Sequence, residues 1–298
     1  MGASEEHVLG FHLVGFFDLL GQSSHLRHLT RLPETQAERE ATVTLLKQTA
    51  GTVIAVREMF RDCFVAMDEP TSFARSLRSD HRQQVAAATQ AKLTYWGVSD
   101  SIIVAVSLRD SDHPCTPVNG VYRSFVAAAG MWLLSLSINH PLRGGIEVGL
   151  GIDIAPGEVY GPVLDCAYRL ESTVAQGPRI VVGDLCIDYL RSQLERQNAT
   201  DLNERLAAGI AELCLSMLRR DLDGTVVLDP LGDRMLAIAR TMAGFGADSI
   251  ADRVAPAHNV VRQQLADAEA SNNQKLVDRY QRLMAYFDER ASAWKEHS

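Results

Sequence analysis

Two aspartates and one arginine carry the chemistry readable in this chain. Asp18 closes the run Phe11-His12-Leu13-Val14-Gly15-Phe16-Phe17-Asp18, and Leu19-Leu20-Gly21-Gln22-Ser23-Ser24 follows it. The apolar, aromatic run predicts a buried strand. The glycine and the small hydroxyl residues predict a loop that leads into a helix. A carboxylate at a strand end is placed to hold a cation. Backbone N–H groups of the adjoining turn, around Gly21 and Ser23, suit an anion. Together they describe a metal–phosphate site. The competing role for such an aspartate is a helix cap or turn residue, and it is the commoner one.

The second aspartate lies in Val98-Ser99-Asp100-Ser101, a polar break between two strand-like runs, Leu93–Gly97 and Ile102–Leu108. The third group is Gly161-Pro162-Val163-Leu164-Asp165-Cys166-Ala167-Tyr168-Arg169-Leu170-Glu171-Ser172. Asp165 and Arg169 are four apart and share one helix face. They form either a surface ion pair or a ligand-facing pair in which a fixed guanidinium offsets charge developing on a phosphate.

Elements must bring these groups together. After the opening strand, Pro33 and Glu34 mark a helix start. Val43, Leu46, Ala50, Val53, Ile54, Met59, Phe60 and Phe64 then recur at helical spacing. Residues 71–90 predict a further helix or ordered loop, and residues 110–119 a polar loop. A hairpin is predicted around Ser99–Ser101, its second strand buried on both faces. Tyr122–Ile138 reads as a core helix. His140–Ile154 reads as a strand whose interior glycines signal close approach of a ligand or neighbouring element. Val163–Ser172 is helical, Pro178–Gly183 a short strand, Leu185–Arg219 helical, and Gly224–Asp229 a last edge strand. A helical tail is predicted after Pro256, with Leu276, Tyr280, Leu283 and Phe287 on one face. The order gives an α+β fold: a ferredoxin-like βαββαβ plan with inserted helices and a helical C-terminal extension. In that plan the first strand is central and lies beside the hairpin. Asp18 and Asp100 therefore stand side by side at one sheet end, where two carboxylates suit two magnesium or manganese ions bridging a triphosphate.

Composition sets the limits. The chain has 298 residues, 46% hydrophobic and 22% charged, with a formal net charge of -8. The acidic balance argues against a nucleic-acid surface or an anionic membrane as the main partner. No apolar run is long enough to span a bilayer. Five cysteines without paired spacing suggest reduced thiols and a cytoplasmic location.

At these residues the chain resembles the catalytic domain of class III nucleotidyl cyclases. Phe17-Asp18-Leu19-Leu20-Gly21-Gln22-Ser23 is similar to the first metal-aspartate motif and Val98-Ser99-Asp100-Ser101 to the second. Arg143-Gly144-Gly145-Ile146 with Gly149 is similar to the glycine-rich strand, and Gly161–Ser172 to the helix that carries asparagine and arginine. The resemblance covers roughly residues 8–185. It implies a cyclase domain, 8–235, followed by a helical extension, 236–298. It implies a homodimer with composite sites, in which Asp18 and Asp100 hold two Mn2+ or Mg2+ ions and Arg169 of the other protomer stabilises the transition state. Asp165 stands where asparagine is usual. Tyr95 and Trp96 stand near the place of the usual adenine-selecting lysine. The Phe-Asp start and the Ser-Asp-Ser turn resemble the bacterial pyrimidine cyclases of antiphage signalling, which make cyclic UMP or cyclic CMP for a separate effector. The expectation is UTP before CTP. The alternatives are a purine cyclase or a degenerate module that binds nucleotide or only dimerises.

Overall fold

The structure is a computed structural model and describes residues 9–21, 29–67, 91, 93–97, 99–108, 118–155, 158–241 and 247–295. Ser23, the expected element at 71–90 and residues 110–117 of the expected polar loop lie outside them. The elements are β1 (Leu9–Leu19), α1 (Gln36–Ala66), β2 (Leu93–Trp96), β3 (Ser101–Ser107), α2 (Val118–Ser137), β4 (Leu142–Ala155), β5 (Glu158–Tyr160) and α3 (Pro162–Arg169). A π-helical turn, Leu170–Ala175, extends α3. Then follow β6 (Ile180–Val182), α4 (Asp184–Leu194), α5 (Leu202–Leu215), β7 (Leu218–Arg220), β8 (Val226–Leu228), α6 (Asp233–Thr241), α7 (Ala247–Ala270) and α8 (Gln274–Lys295).

The sheet has the order β2-β3-β1-β4-β6-β8-β7, with β5 on β4. β1 pairs antiparallel with both β3 and β4. Strands β2-β3-β1-β4 thus have the ferredoxin-like order, and the expected α+β plan holds. Period-2 alternation divides the sheet's two faces. Leu13, Phe17 and Leu19 of β1, with Ile102, Val104 and Val106 of β3, enter the large core under α1, α2, α7 and α8. Val14, Ile103 and Ala105 point the other way, onto a small cluster with Val163 and Ala167 of α3. The C-terminal helices share the large core. Tyr280, Leu283, Tyr286, Phe287 and Trp294 are buried in it, and Phe287 stacks on Trp132 of α2.

Several boundaries differ from the sequence expectation. α1 starts at Gln36, capped by Thr35 with Glu38 in a reciprocal capping box, rather than at Pro33. Val53, Phe60 and Phe64 are buried, but Val43, Leu46 and Ile54 are exposed. The helical expectation for Leu185–Arg219 is interrupted at residues 195–201 and ends in β7, a strand of three residues on which no alternation can be read. β7 is the edge strand, and Val226–Leu228 lies inside the sheet. Pro256 lies within α7 and does not precede it.

The glycines of β4 answer the question the sequence raised. A Cβ on Gly145 would come 2.4 Å from the Ala167 carbonyl oxygen and 2.7 Å from the Glu171 amide nitrogen. The close neighbour is the α3 backbone, which lies directly on the strand. Gly145→Ala should therefore push α3 off the sheet and cost about 1–3 kcal/mol. A urea midpoint unchanged from the parent protein would contradict this packing.

Candidate active site

Strand register builds the site. Asp18 pairs across the sheet with Ser101 on β3 and with Arg143 on β4. Three strand ends therefore meet in one row. The Ser101 hydroxyl donates to Asp18 Oδ1 at 3.3 Å, and an Arg143 Nη donates to Asp18 Oδ2 at 3.4 Å. Arg143 Nε is ion-paired with Glu171, which the π-helical turn carries in and which is only 2% exposed. Burial and the charge of Asp100 raise the Asp18 pKa, against a smaller opposing effect of Arg143. Burial also raises the Glu171 pKa. Arg143 opposes it, while Asp18 and Asp100 add to it. Two carboxylates thus share one guanidinium at one end of the sheet, with Asp100 near enough to repel both.

Asp100 is held by α1. Arg57 donates to the carbonyls of Ser99 at 3.2 Å and Ser101 at 3.0 Å, closing the hairpin turn on both sides of Asp100. Ser99 has φ 56°, the left-handed region. Gly97 has no side chain in Arg57's way: a Cβ there would come 1.9 Å from the guanidinium.

The other expected site residues are placed as follows. Gly21 has φ 90° in the turn after β1, and the space where a Cβ would point is open. That turn is anchored by the Leu20 amide, which donates to the Pro141 carbonyl at 2.8 Å. Asp165 lines an open cleft of about 600 Å³ with Phe16, Ile103, Tyr160, Leu164 and Tyr168. Asp165 and Arg169 are both exposed, and no ion pair joins them among the described residues. Arg169 is the last residue of α3. Tyr95 and Trp96 are not brought together. Tyr95 pairs with Val104, whose side chain enters the large core, and Trp96 pairs with Ile103 of the opposite cluster. Tyr95 lies beside Arg61 of α1 and, after Asp62, adds to the raised pKa of that arginine. Trp96 packs on the face that also holds the cleft.

Arg143, Glu171 and Arg57 enter the site without having been singled out from sequence. Arg143 follows from the register once β4 is set beside β1. Glu171 lies in a motif already quoted, but only the π-helical turn brings it to Arg143. Nothing in the sequence marks Arg57.

A divalent cation fits Asp18 and Asp100. The charge of Asp100 raises the energy of ionised Asp18, and Arg143 offsets only part of that. Among the described residues no group of three or more ligating side chains is already arranged around a point. The protein therefore offers two carboxylates, with remaining positions for water and substrate, as magnesium sites commonly do.

The raised pKa values set a pH dependence. For Asp18 and Glu171 the folded state holds protons that the unfolded chain has released, so stability falls as pH rises upward from the ordinary carboxylate values of 3.8 and 4.5. Asp18→Asn removes one titration, so its melting temperature should gain on the parent's between pH 4 and 7. Mn2+ should stabilise the parent at pH 7, by about 2.7 kcal/mol at a hundred times the Kd, and so raise its melting temperature while leaving that of Asp18→Asn unmoved. Equal Mn2+ shifts in both proteins would remove Asp18 from the metal site.

No family model matches the chain, and no match to a protein of known function was found. Solved structures that resemble it include a bacterial light-regulated adenylyl cyclase, at 12% identity and TM-score 0.35 over 62% of this chain and 46% of that one. The guanylyl cyclase domain of a rhodopsin fusion protein from the aquatic fungus Blastocladiella emersonii matches at 12% identity and TM-score 0.35, over 63% of this chain and 89% of that one. A class III adenylyl cyclase-like ATP-binding protein from Pseudomonas aeruginosa matches at 12% identity and TM-score 0.36, over 69% and 39%. The chain thus spans less than half the length of the first and third of these.

Proposed function

We propose that the protein is a nucleotidyl cyclase that converts a pyrimidine ribonucleoside triphosphate to its 3′,5′-cyclic monophosphate and pyrophosphate. The observation that carries this reading is Asp18 and Asp100 on adjacent strand ends, beside an open glycine turn. Asp18 and Asp100 hold divalent cations, Mg2+ or Mn2+. When bound, these supply charge neutralisation for the triphosphate and a lowered pKa for the ribose 3′-hydroxyl. The chain's own residues do the positioning. Arg57 fixes the Asp100 turn. Arg143 and Ser101 hold the Asp18 carboxylate in one orientation. Gly21, with Ser23 beyond it, presents backbone N–H groups to phosphate oxygens. Asp165 accepts from a ribose hydroxyl in the cleft. Arg169 of a second protomer stabilises charge on the α-phosphoryl group as the 3′-oxygen attacks and pyrophosphate leaves.

Support for the dimer comes from the α3 face of the sheet. Tyr160 and Tyr168 are 64% and 49% exposed there and line the same cleft as Asp165. We assign catalysis to residues 8–235 and a supporting role to the helices of 236–298. The product serves a separate effector, as in the antiphage pyrimidine cyclases, and the working location is the cytoplasm.

Asp18→Ala and Asp100→Ala should each lower cyclisation at least about a hundredfold, measured as pyrophosphate release with Mn2+. Full activity in either would overturn the metal assignment. Mixing Asp18→Ala with Arg169→Ala should restore activity, since a heterodimer contains one intact site. Confirmed heterodimers without activity would place Arg169 in the same chain as its aspartates.

The base preference rests on Trp96, which shares the cleft face, and on the missing lysine. A ring beside the cleft leaves room for a smaller base. Rates with UTP, CTP, ATP and GTP at equal concentration test it, with UTP expected to be fastest. A preference for ATP or GTP would reverse the base assignment and leave cyclisation standing.

A second reading has one specific observation behind it. Arg143 already ion-pairs Asp18, as it would in a module that no longer binds metal and serves only nucleotide binding or dimerisation. Absence of pyrophosphate release with all four triphosphates would favour it.

A further inference from the structure

A second, separate pocket lies at the junction of the sheet and α8. Its volume is about 380 Å³, toward the small end of the range for small-molecule sites. It shares no lining residue with the acid cluster around Asp18. Five cationic side chains line it, against two carboxylates. That surplus of positive charge stands out in a chain whose formal net charge is -8.

The cations divide into two sets. Arg179 and Arg219 form a fixed floor. Arg179 is ion-paired with Asp221 and Asp223, both at 2.7 Å, and donates to the Val174 and Ala175 carbonyls. Arg219 pairs with Asp221 at 3.3 Å and lies over the Tyr286 ring. Their charges are already answered. Lys275, Arg279 and Arg282 form the wall. At spacings of four and three they share one face of α8, and no acidic partner is found for them among the described residues. The stem of Arg279 lies over Gly177, where a Cβ would be 3.6 Å from its Cγ. Burial, and then the nearby charge of Arg143, depress the Arg279 pKa. The remaining lining includes the apolar Pro178, Ile180, Leu228, Pro230 and Leu283, together with Gln176 and Asp278.

Three cations along one wall, with Asp278 the one carboxylate among them, suit an anion with several acceptor oxygens. Apolar side chains opposite them suit a compact organic body. We infer that this pocket binds a phosphorylated small molecule of mononucleotide size, its phosphate against Lys275, Arg279 and Arg282 and its ring against Pro178 and Leu283. The site is independent of the cyclase assignment, because none of its residues serves the acid cluster.

Calorimetric titration of the full chain with UMP, AMP and inorganic phosphate tests this. The background is Asp18→Asn/Asp100→Asn, which silences the other site. A mononucleotide should bind, and Arg279→Gln/Arg282→Gln added to that background should weaken it at least tenfold. Raising the salt concentration should weaken it further. Inorganic phosphate, lacking the ring, should bind more weakly. Lys275→Gln/Arg282→Gln changes only exposed positions and serves where the first pair fails to fold. No binding of either nucleotide at millimolar concentration would overturn the inference. So would binding that either pair of substitutions leaves unchanged, or phosphate binding as tight as that of UMP.

Discussion

The site depends on Arg143 standing between Asp18 and Glu171. Neither acid sits comfortably where it is. Burial raises the energy of each charge, and Asp100 adds repulsion to both. One guanidinium, with its planar fork of donors, answers Asp18 through an Nη and Glu171 through Nε. Removing it would leave buried carboxylates uncompensated, which is much costlier than losing a surface ion pair. Yet Arg143 does not bring either acid back to its ordinary pKa, because burial and Asp100 prevail over it.

This interaction exists only because the strand register is what it is. Asp18 faces Ser101 on one side and Arg143 on the other. A one-residue slip of β1 would turn Asp18 toward the large core and Phe17 toward the α3 face. The apolar pattern forbids it. Leu13, Phe17 and Leu19 are at most 2% exposed on one face, and Val14 is fully buried on the other. Gly145 contributes from β4. By letting α3 rest on the strand backbone, it brings the π-helical turn low enough for Glu171 to reach Arg143. Packing thus fixes the electrostatics.

What could be read in advance follows the same logic. The run ending at Asp18 and the Ser-Asp-Ser turn were legible because apolar strands broken by polar residues are a strong local signal. Their adjacency followed from element order alone. Glu171 was not legible, since its role comes from a π-helical turn that helical spacing does not foresee. Arg57 is a lone cation on a long helix, and only the fold shows that it reaches the Ser99 and Ser101 carbonyls. Tyr95 and Trp96 are the opposite case. Two neighbours in a strand must face opposite ways, so the alternation readable in the sequence already separates a pair that family resemblance would put in one pocket. β7 is three residues long, too short to show any period.

The C-terminal helices complete the argument about why the sheet end is rigid. Tyr286 donates its hydroxyl proton to Asp229 at 2.6 Å and accepts from the Leu231 amide at 2.8 Å. Arg290 pairs with the other Asp229 oxygen at 3.1 Å, and the Trp294 indole donates to the Leu231 carbonyl at 3.0 Å. Three side chains of α8 therefore bind the segment that follows β8. Trp132 of α2 ties the same region to the loop before β6, donating to the Pro178 carbonyl at 3.0 Å. β4 and β6 run parallel from that loop, with Gly144 opposite Ile180, one residue beyond Arg143. The helices that begin as an extension in the sequence are thereby part of what holds Arg143's strand in place. A charge at the sheet end can be positioned to a fraction of an ångström only if the backbone around it cannot yield, and α8 supplies that resistance from the side opposite α3.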